Sequence, residues 1–208
     1  RMLAAIVEHE GFCASVAYDP APAACAAAKA LHPTLRIAPD AAAVCVAENV
    51  DVVYVACPPS LHAEHAVAAA TAGKAVLCEK PLGIDLAGSR GLVASIEASG
   101  VANAVNFLYC SAQAAETLTE AHRSGELGDL VWVEARAHLP SWHSRRTSEA
   151  PWLAQGEAGG FLREVMSHHV FLISRLLGTP VLSHAAVRRI GDAAEHHAVI
   201  TLEAQGVP

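Results

Sequence analysis

The chain has 208 residues, and 53% of them are hydrophobic, which is enough for a packed core and excludes a disordered chain. Charged residues make up 17%, the formal net charge is -7 and the basic residues are scattered, so nucleic acid is excluded as a partner. No apolar run reaches the roughly 18 to 20 residues of a membrane-spanning helix, and the N-terminus lacks the apolar core of a signal peptide. We therefore expect a soluble protein without a membrane partner.

In the first half, short β-branched runs alternate with Ala-rich helical segments. After a helix-like start (Arg1 to Glu10), the predicted strands are 13–18, 51–56, 75–78 and 101–106, and the predicted helices are 21–31, 40–49, 61–72 and 86–99. Runs that are apolar on both faces are typical of parallel strands covered by helices. The pattern predicts an α/β fold with a doubly wound parallel sheet.

The pattern of apolar residues changes after about Gly125. Longer alternating runs predict strands at 130–138, 181–190 and 196–203, with a helix over 162–177. This is an α+β pattern with a mainly antiparallel sheet. An irregular segment, 139–157, is of a length that usually serves function. The boundary falls near 107–128, which gives domains 1–112 and 113–208.

Asp19 follows the first predicted strand and precedes Pro20. In dinucleotide-binding folds, an acidic residue about 20 positions after the glycine loop accepts hydrogen bonds from the adenosine ribose. Asp19 would place that loop just before Arg1, so we expect the first strand and the glycine loop to be missing from this sequence. The alternative is that Asp-Pro only opens the next turn.

A proline loop, Cys57-Pro58-Pro59, follows the next buried run and leads to His62. Two prolines remove two backbone donors and favour an extended loop at the carboxyl end of the sheet, where open α/β sheets hold ligands. The alternative is a simple helix start with Ser60 as its cap.

The run Glu79-Lys80-Pro81 ends another buried strand. An ammonium at the rim of a partly desolvated pocket has a tunable proton affinity and can share a proton with a substrate hydroxyl. A surface ion pair is the alternative.

Glu164 and His168 stand four residues apart behind the glycine pair Gly159-Gly160. This spacing puts them on one helix face, where the carboxylate can orient the imidazole or both can reach a substrate. His169 points to another face and is the better candidate for a structural role. A core role for His168 is the alternative.

Together these motifs resemble the Gfo/Idh/MocA oxidoreductase family over nearly the whole chain, with both ends expected to be truncated. The resemblance implies a Rossmann-type domain followed by an incomplete α+β domain. It implies catalytic roles for Lys80, His168 and Glu164. At the position of Glu164 the family usually has Asp. Cofactor contacts are implied for Arg1, Met2, Asp19, Cys57, Pro58, Pro59, His62, Glu79, Lys80 and Asn106. Substrate contacts are implied for Trp152, Glu164 and His168.

The implied function is an enzyme that transfers hydride between NAD, with NADP as the second choice, and a secondary alcohol of a sugar, cyclitol or related polyol. Alternatives are a non-catalytic nicotinamide- or sugar-sensing regulator on the same fold, and hydrolysis or epimerisation through transient oxidation. No metal site is expected, because neither the histidines nor the cysteines show ligand spacing. A homodimer or homotetramer through the C-terminal sheet is implied.

The six cysteines have no C-x-x-C pair. Several lie in apolar runs, so we expect most of them to be buried, reduced thiols in a cytoplasmic protein. They are Cys13, Cys25, Cys45, Cys57, Cys78 and Cys110.

Overall fold

A computed structural model describes residues 2–139 and 150–204. The chain divides into two compact units, Arg1–Val105 and Asn106–Pro208. The division comes earlier than the expected 112/113 because Phe107 and Tyr109 stack on rings of the second unit. Arg1 and part of the irregular segment, 140–149, lie outside the described residues.

The first unit alternates strands and helices, and its described strands form parallel pairs. Strand β1 pairs with β2, and β3 pairs with β4, which also neighbours β5. Strand β2 has only two residues, too few to leave a periodic signal in the sequence. The elements are α1 (Met2–Glu8), β1 (Val16–Ala17), α2 (Pro22–Leu31), β2 (Arg36–Ile37), α3 (Ala41–Cys45), β3 (Val52–Val55), α4 (His62–Thr71), β4 (Ala75–Glu79), α5 (Leu86–Ser99) and β5 (Asn103–Asn106).

Local residue chemistry sets the ends of these helices. The carboxylates of Asp40 and Asp85 accept hydrogen bonds of 2.7 Å from the N–H groups of Ala43 and Gly88, and so begin α3 and α5. Such a cap typically contributes about 1 kcal/mol. Gly100 ends α5 with a left-handed φ of 68°.

The core of the first unit lies where alternate residues of β3 and β4 meet helices α3, α4 and α5. The opposite strand face, which carries Tyr54 and Glu79, is only half-buried. The side chains of Tyr54 and Glu79 therefore project from the face of the sheet that lies away from this core. The buried residues of the core include Cys45, Val53, Val55, Ala66, Ala69, Val76, Cys78, Leu92 and Ile96.

The second unit contains α6 (Gln113–Arg123), α7 (Ser167–Leu177), β6 (Val181–Arg188) and β7 (His197–Glu203). Strands β6 and β7 pair antiparallel, as predicted. A π-helical turn, Leu162–Met166, runs directly into α7, so the predicted helix over 162–177 is present with a widened first turn. No helix in the described part of the chain is long and apolar enough to cross a membrane.

The predicted strand at 130–138 is wrong. Alternation makes a strand only where a neighbour completes the ladder hydrogen bonds, and no described residue pairs with this segment. Its Val131 and Trp132 side chains are correspondingly 76% and 59% exposed. Helix 40–49 is also shorter than predicted, because α3 ends at Cys45.

The cysteines are less buried than predicted. All six are free thiols, but only Cys45 and Cys78 are buried, and Cys13 is exposed. The reason is local: Cys13 precedes the two-residue β1, and Cys110 lies in the 3-10 turn Leu108–Ser111. Neither position is enclosed by a long strand.

Candidate functional site

Asp19 follows β1 as an exposed side chain. Its Oδ1 accepts a hydrogen bond of 2.8 Å from the Ala21 N–H, so the residue does open the turn into α2. A carboxylate accepts several hydrogen bonds, and this turn leaves it capacity for a ribose hydroxyl. The two interpretations of Asp19 are therefore compatible.

Glu79 is held on the sheet by its neighbours. Tyr54 lies opposite Leu77 in the register of β3 and β4, and Glu79 lies two residues further on the same face. This diagonal lets the Tyr54 hydroxyl donate to Oε1 of Glu79, while Oε2 accepts from the Lys80 N–H at 3.3 Å. Tyr54 thus orients the carboxylate beside Lys80, a role that sequence reasoning missed.

Lys80 is the first residue after β4 and is half-buried. It leads into Pro81 through a cis peptide bond. The side chain therefore stands at the carboxyl end of a central strand, where parallel α/β sheets hold their ligands. The sequence prediction placed it at this strand end.

His62 has a different place from the one expected. The side chain is buried, with 1% exposure. Its Nδ1 lies 2.9 Å from the Pro81 carbonyl oxygen, and its Nε2 lies 2.9 Å from that of Cys57. With both ring nitrogens occupied by backbone carbonyls, this geometry does not favour direct contact with a cofactor.

The thiols beside these loops are neutral at ordinary pH. Burial raises the pKa of the Cys78 thiol to about 12, and the neighbouring Cys57 and Glu79 add to the effect. Burial, together with Glu64, also raises the pKa of Cys57. A thiol in this state is a poor nucleophile, so the loop after β3 offers backbone and shape rather than cysteine chemistry.

In the second unit, the glycine pair makes room at the start of the helix that carries His168. The buried Glu195 carboxylate accepts a hydrogen bond from the Leu162 N–H through Oε1. Gly160 has a φ of +102°, and a Cβ there would lie 2.6 Å from the Glu195 Oε2. A Cβ on Gly159 would lie 2.5 Å from the Leu153 carbonyl oxygen. Glycine is thus required at both positions, and Glu195 caps the helix from 33 residues away.

Aromatic rings surround His168, which is 6% exposed. The Tyr109 ring stacks on the imidazole at 4.5 Å between centroids and 20° between planes. The Phe107 ring meets the imidazole edge-on at 5.8 Å and stacks on Phe171 at 4.1 Å. These contacts fix the plane of the His168 ring.

His169, the next residue along the helix, also contacts Tyr109. Its Nδ1 lies 3.3 Å from the Val165 carbonyl oxygen, and its ring meets Tyr109 edge-on at 5.1 Å. Glu164, half-buried, lies in the π-helical turn one turn before His168. A π-helical turn inside a helix frequently marks a functional site.

The remaining predicted site residues lie on several different elements. Met2 is half-buried in α1, Pro58 is half-buried and Pro59 is buried after β3. Asn106 ends β5 and Trp152 lies in the 3-10 turn Pro151–Ala154; both are half-buried. In the first unit, Cys57 and Lys80 thus lie on the loops after β3 and β4, Glu79 ends β4 and His62 begins α4. In the second unit, Glu164 lies in the π-helical turn that leads into the helix of His168.

Two family models match this chain. The model described as "Oxidoreductase family, NAD-binding Rossmann fold" matches residues 2–107. The model described as "GFO/IDH/MocA C-terminal domain" matches residues 115–207.

Individual proteins agree with these matches. D-apiose dehydrogenase of Paraburkholderia graminis is 32% identical over 80% of this chain, and the match covers 44% of that enzyme. Levoglucosan dehydrogenase of Pseudarthrobacter phenanthrenivorans is 28% identical over 62% of this chain and 34% of its own length. This chain therefore spans less than half the length of these relatives. The WlbA dehydrogenase of Bordetella pertussis, solved with NADH and UDP-GlcNAcA, has the same fold, with a TM-score of 0.83 and 24% identity over 99% of this chain and 60% of that one.

Proposed function

This chain belongs to the GFO/IDH/MocA family of oxidoreductases, and on that premise we propose that it is an NAD-dependent dehydrogenase acting on a secondary alcohol of a sugar, cyclitol or related polyol. One observation carries the proposal. Lys80 stands at the carboxyl end of β4, beside an oriented glutamate, in the unit that the NAD-binding model matches.

The residues after β1 fit NAD better than NADP. Asp19 is exposed and has acceptor capacity for ribose hydroxyls. It would repel a 2'-phosphate, and no Lys or Arg lies between Asp19 and Ala28 to neutralise that charge. The proposed cofactor contacts are Asp19 and the loops after β3 and β4.

Bound nicotinamide supplies the acceptor for the hydride that leaves the carbinol carbon. The Lys80 ammonium donates a hydrogen bond to the substrate oxygen and stabilises the negative charge that develops there. A ring nitrogen of His168 accepts the hydroxyl proton, and Tyr109 keeps the imidazole plane fixed while it does so. Glu164 orients the imidazole from the preceding turn.

The substrate, the oligomeric state and the cellular compartment are also proposals. D-apiose and levoglucosan are the compounds in the names of the relatives, and both carry secondary alcohols, which supports a polyol substrate contacted by Trp152, Glu164 and His168.

All eight residues of β6 are exposed, including Val181 at 68% and Leu182 at 60%. This apolar surface supports a homodimer or homotetramer through the sheet. Six free thiols support the reducing cytoplasm as its compartment.

The test measures NADH or NADPH formation at 340 nm when the purified full-length protein is mixed with NAD or NADP and with D-apiose, levoglucosan, myo-inositol or D-glucose. We expect turnover with at least one polyol and tighter binding of NAD than of NADP. Lys80→Met tests the role of the lysine that follows β4. Lys74→Met is its matched control, because Lys74 lies at the other end of the same strand, before β4. Binding of NADH without turnover of any polyol would favour the sensing regulator, and absence of NADH binding would refute the proposal.

A further inference from the structure

His62 connects two loops that the proposed function uses. It is the first residue of α4, yet its ring reaches the carbonyl of Cys57 on the loop after β3 and the carbonyl of Pro81 on the loop after β4. Both distances are 2.9 Å, and the ring is 1% exposed. Water therefore does not compete for either contact.

The protonation state of the ring decides how many of these contacts are hydrogen bonds. A carbonyl oxygen only accepts, and a neutral imidazole carries a single N–H, so the neutral ring donates to one carbonyl and turns a lone pair towards the other. The imidazolium carries an N–H on both nitrogens and donates to both carbonyls.

We propose that His62 is a positioning residue that ties the loop after β3 to the loop after β4 and thereby sets the backbone from which Lys80 projects. Pro81, which accepts one of the two hydrogen bonds, directly follows Lys80. A shift of the Pro81 carbonyl therefore moves the lysine. Misplacing a reacting group by about 1 Å can cost about 10²-fold in rate.

The bridge is tested on the wild-type protein, without any ligand. Long-range ¹H–¹⁵N spectra of histidine-labelled protein at pH 7.5 detect the ring N–H groups, and comparison with His62→Gln assigns the His62 signals. We expect a ring N–H of His62 that exchanges slowly with water, because the ring is 1% exposed and bonded to a carbonyl oxygen. A His62 ring N–H that exchanges freely with water would overturn the proposal.

The action on Lys80 rests on the proposed function and is tested by a double-mutant cycle. His62→Gln should lower kcat about tenfold or more, and should lower it no further when combined with Lys80→Met, because residues that act through one another are not additive. His65→Gln is the matched control: His65 lies one turn further along α4, and its Nδ1 lies 3.8 Å from the Glu64 carboxylate. It should leave kcat unchanged. Additive losses would overturn the inference, whereas a wild-type protein that neither binds NADH nor turns over a polyol would refute the proposed function instead.

Discussion

Gly160→Ala tests whether the glycine pair exists to admit the Glu195 carboxylate. The substitution places a Cβ 2.6 Å from Oε2 and 2.9 Å from Oε1 of Glu195, at a φ of +102°. The carboxylate must then swing away, and its hydrogen bond from the Leu162 N–H is lost. The first turn of the helix that carries His168 consequently loses its cap.

The expected loss of stability in Gly160→Ala is the sum of two separate free-energy costs. A non-glycine residue held at such a φ costs about 1 to 3 kcal/mol. Losing a hydrogen bond to a buried charged group costs about 1.5 to 3 kcal/mol. We therefore expect Gly160→Ala to lower the free energy of unfolding by about 2.5 to 6 kcal/mol. The matched control is Gly128→Ala, where φ is +68° and nothing lies within 4 Å of the new Cβ, and only about 1 to 2 kcal/mol is expected.

Urea titration followed by circular dichroism measures these differences, and a second background separates the two costs. In a Glu195→Ala background the carboxylate is absent, so Gly160→Ala should cost only the backbone strain. The coupling between the two substitutions should therefore be about 1.5 to 3 kcal/mol. Equal costs of Gly160→Ala in both backgrounds would refute the reasoning that the glycine serves Glu195.

Three further predictions concern single side chains. Lys80→Met should lower kcat by about 10² or more and leave the Kd for NADH within about tenfold, measured by steady-state rates and NADH fluorescence; equal losses would make Lys80 a structural or phosphate-side residue. His168→Ala should remove nearly all turnover, Glu164→Gln should leave a larger residual rate, and the double variant should match His168→Ala; wild-type turnover in His168→Ala would show a core histidine. The raised pKa of Cys78 means that the folded state keeps a proton that the unfolded state loses, so stability should fall as pH rises from 9.0 towards about 12, and Cys78→Ala should flatten that fall in urea titrations.

The periodicity of the apolar residues and the residue types at the ends of strands made much of this fold predictable. The β-branched runs of β3 and β4 and the turn residues around α5 each leave a local signal, so those elements and the strand-end place of Lys80 could be predicted. The failures concern a strand without a pairing partner and the end of a helix. The run 130–138 alternates like a strand but has no described ladder neighbour, and Asp40 begins a helix that ends sooner than the alanine content suggests.

The parts of the candidate site that could not be predicted depend on register and on long-range contacts. Tyr54 reaches Glu79 only because β3 and β4 pair with Tyr54 opposite Leu77. Glu195 caps a helix 33 residues earlier, and nothing near it in sequence marks that role. His62 was expected to bind cofactor because its motif lies beside the ligand loop, but its burial turns both nitrogens towards backbone carbonyls.

Direct transfer of hydrogen is the measurement that tests the central claim. The protein is incubated with NAD and perdeuterated levoglucosan, myo-inositol or D-glucose, and the reduced nicotinamide is examined by mass spectrometry. We expect one deuterium on the reduced nicotinamide of the wild-type protein, and no deuterium transfer in Lys80→Met or His168→Ala. A protein that binds NADH tightly yet transfers no deuterium from any polyol would contradict it.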